Sequence, residues 1–164
     1  MDWYTSSRKS AQEHFPEDWD LFLGFLAVTS VNSTVKSNMT LALKAHAQHT
    51  QGKPFKGFLK SVIVNLENVI QGNTLNGPKI NAFYLALKGD KNAVVVDRWM
   101  ARAYGFKSVT TANYPKIEHN IRLEAACNSM KPSDFQAWKW ANIRGAGEDF
   151  GALLNARRAQ GRLF

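Results

Sequence analysis

At 164 residues, with 45% apolar content and five tryptophans, the chain is sized for one folded domain around a single core, which excludes wholesale disorder. A formal net charge of +8 favours a polyanionic partner, nucleic acid ahead of an anionic membrane surface. One cysteine, Cys127, excludes an internal disulfide framework, and no apolar run approaches the ~18 residues a membrane span needs.

The segment up to Pro16 is polar, carries Arg8 and Lys9, and reads as an arm or short helix packing on the surface through Trp3 and Tyr4. It lacks the apolar core of a secretion signal, so an intracellular protein is expected. From about Glu17 to Thr29 the apolar residues Trp19, Phe22, Leu23, Phe25 and Leu26 predict a buried helix. A polar break at Ser30 to Thr34 precedes a helix from Val35 to about His46. His46 and His49 are three apart, a helical metal spacing, but nothing nearby completes a ligand set, so both read as surface residues and no metal is expected. Phe55 to Ile70 predicts a helix with Phe58, Leu59, Val62, Ile63, Leu66, Val69 and Ile70 in the core.

Gly72 to Gly105 is the most informative stretch. A Gly/Asn-rich turn opens onto Pro78 and Lys79, and Pro is well suited to a first helical position, where its missing N–H costs nothing. The apolar residues Ala82, Phe83, Leu85, Ala86 and Leu87 mark a helix that stops at Gly89. Val94 to Val96 then lead to Asp97, a good N-cap for a helix from Arg98 to Tyr104. Ala93 to Val96 is the one extended stretch, so the fold class is all-α, a compact helical bundle formed by residues 1–164. Pro115 opens a helix to about Met130, and the capping-box pattern Ser133 to Gln136 opens another to about Arg144. Trp138 and Trp140 cannot share a face of that helix, so one is nearer the surface. Gly145 and Gly147 set off a last helix with Arg157, Arg158 and Arg162, a basic tail that is either solvated or laid on phosphates. A phosphate-loop reading of Gly72 to Lys79 fails, because Pro78 intervenes and Ile80 stands where a hydroxyl residue is needed.

The stretch from Gly72 to Gly105 resembles the helix-hairpin-helix, endonuclease III-like DNA glycosylase superfamily, over about a fifth of the chain. Gly77, Pro78 and Lys79 match the end of the family hairpin with its lysine, and Val96-Asp97 matches its "V-D". Lys79 and Asp97 stand 18 residues apart, the family separation in lysine-containing members. One departure is Leu75, where the family hairpin has a second glycine. The lone cysteine excludes the four-cysteine iron–sulfur cluster that many members carry, and no cofactor is expected.

The resemblance implies a DNA glycosylase fold and a monomeric base-excision enzyme acting on double-stranded DNA with a damaged or modified base. Asp97 would stabilise positive charge on the sugar or activate the nucleophile. The Lys79 amine would attack the anomeric carbon and add AP lyase activity. Asn73, Thr74, Asn76 and Gly77 would hold a phosphate, with Arg98 and Arg102 extending the basic face. The Ser/Thr-rich run before Asn38 is similar to a family turn that fills the gap left by a flipped base, with Asn32 and Asn38 as the base-pocket or gap-filling residues. The K-I-N-A-F-Y run is similar to a phage-associated branch linked to hypermodified thymine, which implies a transferase or glycosylase on modified bases and a bacterial or phage-infected cytoplasm. A noncatalytic hairpin module that holds phosphates remains the other alternative.

Overall fold

The structure, a computed structural model, describes residues 2–31, 33–144 and 150–161, and these form an all-helical, compact fold with no strand among them. Asn32, Gly145, Gly147 and Arg162 lie outside the described residues. The helices are α1 (Trp3–His14), α2 (Trp19–Val28), α3 (Val35–Thr50), α4 (Lys60–Gln71), α5 (Pro78–Lys88), α6 (Arg98–Ala103), α7 (Tyr114–Cys127), α8 (Pro132–Arg144) and α9 (Phe150–Ala159). None of them is long and apolar enough to cross a membrane.

Helix α2 is the hub. Every residue from Phe22 to Val28 is buried, as an all-round apolar sequence requires. It packs on α1, α3, α4 and α5. Gly24 permits the close approach: a Cβ there would meet Val69 Cγ1 at 2.5 Å and Tyr84 Cε2 at 3.2 Å. One apolar cluster joins α1, α2, α3, α5 and α9, and a second joins α2, α4 and Leu75. A third holds α6, α7 and α8 together through Met100, Ile117, Ile121 and Phe135.

The extended stretch ties the first cluster to the third. Ala93 and Val95 enter the first, Val94 and Val96 the third. Side chains of an extended chain alternate sides, so four residues serve two cores and deliver Asp97 to the seam between them. Among the described residues no strand pairs with them, so the β-branched run stays a buried connector.

Of the two expectations for the N-terminal segment, arm or helix, the helix holds: Asp2 caps it by accepting from Thr5 N at 2.9 Å. Several expectations are corrected. Tyr4 is a core residue, 5% exposed, not a surface one. His46 is buried, not on the surface, because the aromatic rings of Phe15 and Phe22 enclose it and Asp18 Oδ2 lies 2.7 Å from its Nε2. The helix expected from Phe55 begins at Lys60; Phe55 and Phe58 pack from the preceding loop, while Leu59 is 68% exposed and Ile70 36%. Ser133 is no cap. The helix has already begun at Pro132, and Ser133 is buried with its N–H on Lys91 O. Trp138 is the exposed member of its pair, at 56%.

Candidate active site

A cleft of about 720 Å³ opens where α1, the turn after α2, α3, α5, the Val95–Trp99 segment, α8 and α9 converge. Lys79 and Asp97 both line it, each at the start of a helix. Gly77, Arg98 and Asn38 line it too.

Asp97 is held from two sides. Its Oδ1 accepts from Met100 N at 2.9 Å, the N-cap bond of α6, and its Oδ2 accepts from Trp140 Nε1 at 2.9 Å. Both bonds hold the side chain in one orientation, and lone pairs remain on each oxygen for a ligand. Asp97 is half-buried at the cleft wall.

Lys79 is half-buried at the second position of α5. Among the described residues its amine has no carboxylate partner in ion-pair range. Pro78 starts the helix, and the N-cap Gly77, at φ +96°, offers no side chain to the first-turn amides. These amides, the helix dipole and the Lys79 charge make this end of the cleft attractive to an anion.

The 72–77 turn is braced from within. Asn65 Nδ2 donates to Asn76 O at 3.0 Å, and Asn65 Oδ1 accepts from Asn76 N at 2.8 Å. Asn73 N donates to Asn68 O at 2.9 Å, and Leu75 N lies 3.4 Å from Asn81 Oδ1. Leu75, 4% exposed, plugs the turn into the second cluster, which explains an apolar residue where a more open hairpin has glycine. The side chains of Asn73, Thr74 and Asn76 remain exposed, as do Arg98 and Arg102. The Arg102 guanidinium lies 5.5 Å over the Trp99 ring.

Asn38 is 3% exposed, and Thr29 Oγ1 donates to its Oδ1 at 2.7 Å, tying α3 to the end of α2. Asn32 lies outside the described residues, and its neighbours Ser30 and Ser33 line the cleft.

Motif reading did not single out the aromatic wall. Trp3 centres a cluster with Tyr4 at 5.4 Å, Phe83 at 5.8 Å, Trp140 at 5.7 Å and Phe150 at 4.7 Å. Nor did it find Gln136, whose Oε1 accepts from Tyr4 Oη at 2.5 Å. Burial and the nearby Asp97 charge push the Tyr4 phenol well above its ordinary range, so it stays a donor. Burial and the Glu118 charge push the Tyr114 phenol, also on the cleft, up to about 12. The signal in the sequence was weak: aromatics scattered over Trp3, Phe83, Trp140 and Phe150 gather only in the fold.

Such a cleft can do definite chemistry. It offers aromatic side chains for a planar heterocycle, a fixed carboxylate, an amine, and the exposed guanidinium of Arg98. Residues 1–147 match the model of a family described as a family of unknown function, DUF7178. No solved structure matches the chain.

Proposed function

The chain belongs to the DUF7178 family, and from that premise we propose that it is a DNA base-excision enzyme cleaving the N-glycosidic bond of a damaged or modified base in duplex DNA. The observation that supports this reading is that Lys79 and Asp97, on separate helices, line one cleft with an aromatic wall. The turn before α5, with Thr74, Asn76 and Gly77, rests on the phosphate backbone as a helix-hairpin-helix, and Arg98 and Arg102 extend that contact. The base leaves the stack, at a cost of ~ a few kcal/mol, and enters against Trp3 and Phe83.

As the bond from the base to the sugar C1′ breaks, its electron pair leaves with the base and positive charge grows on the sugar. The Asp97 carboxylate, already oriented by Met100 N and Trp140 Nε1, stabilises that charge. The Lys79 amine, once deprotonated, bonds to C1′ as the base leaves and gives up a proton; the C1′–O4′ bond then opens to a Schiff base, O4′ taking up a proton, and loss of a C2′ proton expels the 3′-phosphate and cuts the strand.

The test is a panel of duplexes carrying uracil, thymine glycol, an abasic site or a 5-substituted thymine, with borohydride added. Base release abolished in Asp97→Asn, and a trapped adduct abolished in Lys79→Ala, support the reading. Binding without change to any base identifies a noncatalytic module and sinks it. Mass added to a 5-substituted thymine identifies a transferase acting on modified DNA, and also sinks it.

A further inference from the structure

Two carboxamides reach the cleft from opposite helices, Gln136 on α8 and Asn38 on α3, and they are 2% and 3% exposed. Each has its oxygen engaged, Gln136 by Tyr4 Oη at 2.5 Å and Asn38 by Thr29 Oγ1 at 2.7 Å. Neither amide nitrogen finds an acceptor among the described residues. Nor is either sealed from solvent: the fully enclosed, unpaired side-chain atoms there are Trp3 Nε1 and His14 Nδ1. Both residues line the cleft.

The two amides are not equivalent. The Thr29 hydroxyl has one proton, and Phe25 O, at 2.8 Å, competes for it, so Asn38 is free to present either half of its amide. Tyr4 is enclosed in the core, and its hydroxyl has no other acceptor among the described residues, so its proton goes to Gln136 Oε1. An amide held by its oxygen must turn its NH₂ the other way. Gln136 therefore shows the cleft hydrogen-bond donors alone.

We propose that Gln136 reads the exocyclic position of the bound base, donating from Nε2 to an oxo oxygen, so that the cleft prefers oxo-bearing bases to bases with an amino group there. This rests on the reading of the cleft as a base pocket. An amino group at that position would set donor against donor and leave both buried groups unpaired, the arrangement that discriminates most strongly in a desolvated site.

Hypoxanthine and adenine share a ring system and differ at that position. Trp3, Trp99 and Trp140 line the cleft, so quenching of tryptophan fluorescence in the full chain reports their binding. The wild type is expected to bind hypoxanthine roughly tenfold more tightly than adenine. Gln136→Leu removes the preference, and Gln136→Glu, an acceptor, reverses it. Tyr4→Phe lets the amide turn and flattens it, which keeps the test alive if a Gln136 variant does not fold. Equal binding of the two bases by the wild type, no quenching by either, or an unchanged preference in folded variants overturns the proposal. Duplex base release is measured alongside. Release whose base preference survives Gln136→Leu sinks this inference and leaves excision standing. A hypoxanthine preference lost in Gln136→Leu, with no release from any duplex, sinks excision and leaves the base reader standing.

Discussion

Around Asp97 each carboxylate oxygen already has a donor, and the flanking helices α6, α7 and α8 share one apolar cluster. Around Lys79 the order is reversed: the turn beneath it is braced by Asn65 and Leu75, while the amine is left without a carboxylate partner among the described residues. One wall of the cleft holds its charged group still, and the other holds its backbone still. A group that must face charge developing on a sugar works best when the fold has already fixed its orientation. On the proposed reading, a long amine that must first meet phosphate or carbon gains by freedom at its tip. The contrast is a division of labour that substitutions can separate.

The largest effect is expected where each wall loses its charged group. Asp97→Asn keeps a capping side chain, so the melting temperature holds to within a few degrees while base release falls about 100-fold or more. Lys79→Ala, near the surface, leaves the melting temperature unchanged and abolishes the borohydride adduct. If both variants lose release equally and neither changes trapping, the two walls do not differ in the way described.

Next is Asn65→Ala. It strips both hydrogen bonds from Asn76 and is expected to cost ~2 kcal/mol, read in chemical denaturation. Duplex affinity falls with it, whereas the Gln136-dependent base preference survives, because that lies on the other wall. Trp140→Phe is gentler. It removes one donor from Asp97 and keeps most of the ring, so release falls roughly tenfold with duplex affinity intact. An unchanged rate in that variant shows that the α6 cap alone orients the carboxylate.

The smallest effect is in pH. The Tyr104 hydroxyl and Lys139 bond to Glu124 across α6, α7 and α8, and the Tyr104 bond foremost holds the Glu124 carboxyl below its ordinary 4.5 against a raising effect of burial. A lowered folded value means stability present above the unfolded value and lost as pH falls through the folded one. The side chain is 41% exposed, so solvent screening keeps the contribution small. Melting temperature measured from pH 6 to 3 should fall a little less steeply in Tyr104→Phe than in the wild type.

Local chemistry made much of this chain legible. Asp97 as an N-cap, Pro78 at the head of α5, Gly89 as its stop and the all-helical class follow from propensities that act over a few residues. Boundaries failed where distant packing overrode them: Phe55 and Phe58 look helical by period yet serve the core from a loop, and Ser133 looks like a cap yet is drawn inside by Lys91 O. His46 looked solvated because its partners, Asp18 and the Phe15 and Phe22 rings, are distant in sequence.

By itself, then, the sequence determined the all-helical class, the glycine stop of α5, and the two helix starts that carry Lys79 and Asp97, because caps, turns and periodicity are short-range. That those starts share a cleft, that Tyr4 on the first helix turns the amide of Gln136 on the eighth, and that Trp140 pins Asp97 were decided by tertiary structure alone. These pairs stand 18, 132 and 43 positions apart, and such arrangements exist only once the apolar clusters have packed the helices against one another.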